Sequence, residues 1–356
     1  MLKKTFLTLA MGAVVVAPTL AMADTISPTT FTATVGVGGT ATVHKTVTIQ
    51  ASGTTSALVD LMFVIDTTGS MGPEIAAAQS LATTLLADLT TKYGNVASGA
   101  GFYNDPTFNG VVSNLSTSPI GTQNTINGFS AGGGGDTPEQ DLAGVDQAAN
   151  NASWRTGSNR FIIDLGDASS HVPPSVATVA ADMNAKNAHF IGIDFGALCS
   201  GADGGTGMGP LATATGGTCV SSGTGAAAIE AAIEASIAAS FAKYTDVTVG
   251  DLGDGLPGVS ENVVCTSADT GTCSGADALG TYDRSVDHTF GFDVTFTGLA
   301  PGTYSFNTDA LVNGGIVATE ADRIVVTGVT APEPTSLILM GLGLAGLGLV
   351  KRRITK

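Results

Sequence analysis

Positive charge is scarce in this sequence. Its 356 residues carry 14 Lys and Arg against 30 Asp and Glu, a formal net charge of −16 at pH 7. Six of the 14 lie in the terminal segments 1–23 and 331–356, so only eight basic residues face 29 acidic ones in between. Nucleic acid and anionic lipid need cationic side chains to neutralise phosphate, so this balance argues against both as partners. It suits divalent cations, or basic and neutral surfaces. Soft metal ligands are as sparse. Cys199, Cys219, Cys265 and Cys273 form no C-x-x-C pair, and His44, His171, His189 and His288 are scattered, a pattern that argues against a zinc site.

The two ends of the chain point to export. Lys3 and Lys4 precede an apolar run, Phe6 to Leu20, and then Ala21-Met22-Ala23, so residues 1–23 read as a secretory signal. In an exported protein an even cysteine count reads as disulfides. Of the three connectivities open to four cysteines, Cys199–Cys219 with Cys265–Cys273 closes one Gly-rich loop within each candidate domain. At the other end, Pro332-Glu333-Pro334 is followed by an apolar, Gly-rich run, Leu337 to Val350, and by Lys351-Arg352-Arg353. The run is marginal for a membrane span, and the basic cluster favours the cytoplasmic side. This order of parts closely resembles the PEP-CTERM sorting tail. The resemblance covers residues 331–356 and implies a Gram-negative host, recognition by an exosortase, and only transient contact with the membrane.

Between the ends, residues 24–57 alternate as strands, with Gly36, Gly38 and Gly39 as a turn. From residue 58 to 243, strands alternate with helices. Leu61–Ile65, Gly99–Tyr103, Phe161–Leu165 and His189–Phe195 read as strands; Glu74–Tyr93, Pro138–Asn150 capped by Thr137, Ser175–Asn187, 207–215 and 226–243 read as helices. That alternation predicts an α/β domain, a doubly wound and mostly parallel sheet. Residues 244–330 lose the helices. Tyr244–Val249, Val259–Cys265, His288–Thr297, Gly302–Asn307 and Ile316–Thr327 read as strands of an all-β sandwich. The α/β domain is thus expected to be inserted in, or flanked by, a sandwich built from both outer segments.

The chemistry concentrates at the end of the first α/β strand. Leu61-Met-Phe-Val-Ile65 leads into Asp66-Thr67-Thr68-Gly69-Ser70. Alternate residues of an extended segment share a side, so Asp66, Thr68 and Ser70 converge as hard oxygen ligands suited to Mg²⁺, Ca²⁺ or Mn²⁺. Residues 58–243 resemble a von Willebrand factor type A (I-like) domain, whose metal-ion-dependent adhesion site (MIDAS) has the form Asp-x-Ser-x-Ser. The resemblance implies further metal ligands in two later loops. Asp167 matches one. In the other, Thr137 or Glu139 can serve, and Asp136-x-Pro138-Glu139 is similar to the pattern of integrin β subunits, which implies an adjacent Ca²⁺ held by Asp136 and Glu139. Asp164, mid-strand, reads as a structural, hydrogen-bonded acid.

The function expected from these parts is adhesion at the surface or in the biofilm matrix. A bound Mg²⁺ (or Ca²⁺ or Mn²⁺) would meet a carboxylate offered by a protein or polysaccharide ligand. The alternative is a passive structural envelope or matrix protein with a merely stabilising or vestigial metal site. No enzyme activity is expected. Gly128-Phe-Ser130-Ala-Gly132 matches a nucleophile elbow only in letters, since a Gly run follows where a helix is needed. Ser169-Ser170-His171 are neighbours in sequence, which does not build a catalytic triad.

Overall fold

A computed structural model describes residues 23–51 and 57–328. The signal at 1–23, apart from Ala23, and the sorting tail at 331–356 lie outside the described residues. The chain opens with β1 (Thr25–Ser27), β2 (Thr30–Gly36) and β3 (Thr40–Ile49). The α/β unit follows: β4 (Ala57–Asp66), α1 (Gly72–Tyr93), β5 (Gly94–Tyr103), β6 (Phe108–Ser116), α2 (Ile120–Asn127), α3 (Asp141–Asn151), β7 (Asn159–Gly166), α4 (Val176–Ala185), β8 (Ala188–Asp194), α5 (Gly209–Ala214), β9 (Thr218–Ser221) and α6 (Ala226–Ala242). Then come β10 (Lys243–Gly250), β11 (Val259–Ser267), β12 (Thr272–Ser274), β13 (Asp277–Asp283), β14 (His288–Gly298), β15 (Gly302–Val312) and β16 (Gly315–Thr327).

The α/β sheet runs β6-β5-β4-β7-β8-β9, with every pair parallel except β5–β6. β4 is central and covered on both faces, which is why it reads as an unbroken apolar run. On one face, Leu85 and Leu89 of α1 and Ile229, Ile233 and Ile237 of α6 pack against Leu61, Phe63 and Ile65. On the other, Val145 of α3 and Met183 of α4 pack against Met62, Val64 and Ile162. α1 starts with Pro73 and Glu74 in its first turn, and it ends at Gly94, whose φ of 86° needs glycine.

The flanking strands form two further sheets, β1-β3-β14-β11 and β12-β13-β10-β15-β16-β2. Both contain strands from before and after the α/β unit: β3 pairs with β14 over ten residues, and β2 runs parallel to β16. Their inner faces share one core, including Val47, Ile49, Phe290, Phe292, Phe296 and Ile324. Disulfides join Cys199 to Cys219 and Cys265 to Cys273. Among the described residues no helix is long and apolar enough to cross a membrane.

Several elements differ from the sequence reading. The helix expected from Pro138 begins at Asp141, and Thr137 does not cap it. The intervening residues are drawn into a bridge instead: the Glu139 amide donates to Ser169 O at 2.8 Å and His171 N to Glu139 O at 2.7 Å. The strand at Gly99–Tyr103 starts five residues earlier, at Gly94. β15 continues beyond Asn307 to Val312, while β6, α2, β9, β12 and β13 carry too little periodic apolar content to be read. β6 sits where it does because Gly110 lets its backbone approach α3; a Cβ there would lie 2.3 Å from Gly144 O.

One buried ion pair fastens the start of β4. The Asp60 carboxylate, fully buried, accepts from Arg155 Nε at 2.5 Å, Arg155 N at 2.8 Å and Ser158 Oγ at 2.8 Å. Removing one partner of such a pair strands a buried charge. Arg155→Ala is therefore expected to lower folding stability by about 3–5 kcal/mol, measured by urea denaturation against the parent.

Candidate metal centre

Asp66 lies at the carboxyl end of β4. From this strand the order departs in both directions, to β5 on one side and β7 on the other, so the crevice beside it is the switch point where open α/β sheets bind ligands. Asp167 immediately follows β7, one strand over. Three loops meet here. Thr67 donates its amide and hydroxyl to Tyr103 O, each at 2.9 Å. The Asn104 side chain donates to Thr67 O at 2.9 Å and Gly132 O at 2.7 Å, and accepts from Gly134 N at 3.0 Å. Gly69 N donates to Gly133 O at 3.2 Å. Gly133 and Gly134, at φ 74° and 72°, occupy the left-handed region that favours glycine, and Gly134 brings the chain between Thr68 and Glu139.

The site grades from buried to open. Asp66, Thr68 and Glu139 are buried, Asp167 is half-buried, and Ser70, Asp136 and Thr137 are exposed. The hydroxyls of Thr68 and Ser70 lie 3.3 Å apart. Asp66 Oδ1 accepts from the Thr68 amide at 2.8 Å, yet its Oδ2 is buried without a partner, as is Glu139 Oε2. Buried carboxylate oxygens normally find donors. Two that do not, beside paired hydroxyls, form a donor set that fits a hard divalent cation. Of the two ligands left open in the second loop, Glu139 is the one buried against Asp66.

Electrostatics point the same way. Burial pushes the Asp66 carboxyl up to about 7, although the Thr68 amide and hydroxyl pull it down. Burial, then the charges of Asp66, Asp105, Asp167 and Asp136, push Glu139 up to about 8. Beneath them lies a second acidic layer. Asp141 and Asp164 are fully buried beside the Tyr103 side chain, and burial holds both well above the usual range although a hydrogen bond with Tyr103 pulls each back. Asp164 is thus structural in position, and a hydrogen bond with the Tyr103 side chain partly offsets the effect of its burial. Sequence reading also missed Asn104, Asp105 and His171. Asp105, Asp136 and His171 each bring a ligand atom within 4.8 Å of the others, whereas Asp136 was expected to act with Glu139. The signal for Asn104 and Asp105 was their place just after a strand beside the switch point.

The serines that drew attention as nucleophiles are otherwise arranged. Ser130 follows α2 and enters the Gly loop, not a strand-turn-helix. The Ser169 hydroxyl donates to Asp203, and Ser170 Oγ accepts from Leu142 N.

A profile of the von Willebrand factor A domain matches residues 60–192, and one of the PEP-CTERM protein-sorting motif matches residues 330–353. The chain carries a von Willebrand factor A domain. Its sorting motif marks it as an exported protein directed to the cell envelope and implies exosortase processing. The alpha-protein kinase vwkA of Dictyostelium discoideum is 34% identical over 122 residues, 33% of this chain; the match spans 19% of that relative's length. Among solved structures, a von Willebrand factor type A protein from Catenulispora acidiphila is similar over 90% of this chain and 76% of that one, at 16% identity and a TM-score of 0.41. The SpRpn10 VWA domain is similar over 50% and 95%, at 14% identity and a TM-score of 0.39.

The raised carboxyls set a pH dependence for the A domain. Protonation favours the metal-free fold, because Asp66 and Glu139 rise from 3.8 and 4.5 to about 7 and about 8. Their contribution to stability is complete below the unfolded values and is lost as pH rises through the folded ones. The melting temperature of chelator-treated protein should fall as pH rises through about 7 and about 8. Asp66→Asn should flatten that fall.

Proposed function

We propose that the A domain is a metal-dependent adhesion module acting at the cell surface or in the extracellular matrix. The observation that carries this reading is the pair of buried, unpartnered oxygens, Asp66 Oδ2 and Glu139 Oε2, beside the hydroxyls of Thr68 and Ser70. Asp66, Thr68, Ser70 and Glu139 would hold Mg²⁺, Mn²⁺ or Ca²⁺, with Asp167 acting from the neighbouring strand and Thr137 and Asp136 at the open rim. A bound divalent ion supplies an electrophilic position that a partner's carboxylate can fill. The residues do the rest. Hydroxyl ligands neutralise no charge, and Asn104 holds the Gly loop so that the exposed rim stays accessible. Glu139, if it binds directly, cancels charge and moderates affinity for the partner. The role is binding, so no nucleophile or general base is required. A protein or polysaccharide offering a carboxylate fits as ligand, and the sorting motif supplies the extracellular setting.

Calorimetric titration of Mg²⁺, Mn²⁺ and Ca²⁺ into the exported chain tests the reading. Saturable binding is expected in the parent and should be lost in Asp66→Ala. Cells carrying that variant should attach and aggregate less than the parent. Heat unchanged by the substitution would remove the metal reading, and unchanged attachment would remove the adhesion role.

A further inference from the structure

The sandwich core contains a cation that the A domain does not use. Lys45 is one of only eight basic residues between positions 24 and 330, yet it is fully buried. It occupies the inward position between Val43 and Val47 on β3, where the alternation calls for an apolar side chain. Its ammonium crosses to the facing sheet and meets two acids on β16: Glu320 Oε2 lies 2.5 Å away, and both Asp322 oxygens lie at 3.4 Å. Glu320 and Asp322 are two residues apart and so share the inward face of their strand. Thr308, on β15, is also fully buried and donates its hydroxyl to Asp322 Oδ2 at 2.5 Å. The Phe296 ring lies 5.6 Å from the Lys45 nitrogen and helps close the cluster.

This is a poor design for a simple ion pair. Two carboxylates facing one ammonium leave a surplus charge in a dry core, and buried ion pairs already struggle to recover their desolvation cost. Elsewhere the sandwich pairs charges one to one: Arg284 grips Asp24 through two bonds of 2.8 Å. The Lys45 nitrogen, by contrast, stands equally far from both Asp322 oxygens, facing the carboxyl as a whole. Both separations are longer than an ordinary hydrogen bond, and groups held together in a packed core need no concentration to meet. Glu320 Oε1 is buried without a partner, and burial pushes the Glu320 carboxyl up, with Lys45 and its hydrogen bond pulling it back. It is therefore placed to carry a proton.

We infer that Lys45 and Asp322 condense spontaneously into an intramolecular amide, an isopeptide bond, with Glu320 as proton shuttle and Thr308 activating the carboxyl. Glu320 takes a proton from the Lys45 ammonium and passes it to an Asp322 carboxylate oxygen. The free amine's lone pair attacks Cγ of Asp322, and the Thr308 hydroxyl supports the oxygen that gains charge. Glu320 takes the second amine proton and delivers it to the departing oxygen. The Cγ–O bond breaks, one water leaves, and the C–N bond remains. No oxidant, cofactor or metal is consumed. Both paired charges vanish from the core, and exclusion of water protects the product from hydrolysis.

The bond would join β3, which precedes the A domain, to β16, which follows it. The whole A domain would then sit inside one covalent loop closed through the sandwich. Tension between the sorted C-terminal end and the adhesive site could not peel β3 from the core.

The mature chain, reduced and denatured, is tested by intact mass. We expect it to weigh less than its sequence by one water, and a digest to yield the Lys45 peptide joined to the Asp322 peptide. Glu320→Gln should lose the joined species while keeping native strand content by circular dichroism. Chain cut by protease within the A domain should still migrate as one species on a reducing, denaturing gel. A parent protein of full sequence mass, with both peptides recovered separately, overturns the inference, and that result does not depend on whether any variant folds. A bond found at Glu320 in place of Asp322 also overturns it.

Discussion

Unbalanced negative charge at the carboxyl end of β4 is the constraint around which the A domain is organised. Asp66 and Glu139 are buried there with one buried, unpartnered oxygen each, above the fully buried Asp141 and Asp164. Burial pushes both carboxyls of the lower pair well above the usual range. The upper pair stands at the mouth of the crevice, within reach of exposed Ser70 and half-buried Asp167. Among the described residues, no Lys or Arg forms an ion pair with Asp66 or Glu139. Scarce basic residues are placed elsewhere: Arg155 on Asp60, Arg284 on Asp24, and Lys45 in the sandwich core.

The loops that carry the site are held by backbone geometry more than by side-chain packing. Asn104 joins the Asp66 loop to the glycine loop, and two left-handed glycines let the second approach the first. The bridge between Glu139 and Ser170 then fixes the acid that follows. Ordered loops on a rigid parallel sheet are a common way to present binding groups. The sandwich plays a different part. Because β2 and β3 are shared between its sheets, the A domain is anchored at both ends in the same core, and the Lys45 cluster lies on that anchorage.

The fold class was legible because helical and strand periods are local. β4, β7 and β8 announce themselves as short apolar runs, and α1 as a stripe of leucines. The elements that were missed are those with little apolar content: β6 depends on Gly110 approaching α3, and β12 is a three-residue edge strand. The start of α3 was misplaced because a bridge to Ser170 overrode the local preference of Thr137-Pro138-Glu139 for a helix start. At the candidate site, Asp66-x-Thr68-x-Ser70 could be read from its spacing, whereas Asn104, Asp105 and His171 could not.

The sequence by itself determined the periodicity of the elements, the clustering of Asp66, Thr68 and Ser70 at the end of a strand, the acidic balance, and the sorting motif. Each is a property of neighbouring residues or of composition. Tertiary structure alone decided that Glu139 is buried near Asp66, that Asp141 and Asp164 lie fully buried beneath, and that Lys45 meets Glu320 and Asp322 across the core. Those contacts join residues far apart in the chain, and their energetics depend on burial. The electrostatic cost of a charge is set by the water it loses, and only the packed sheets fix how much is lost.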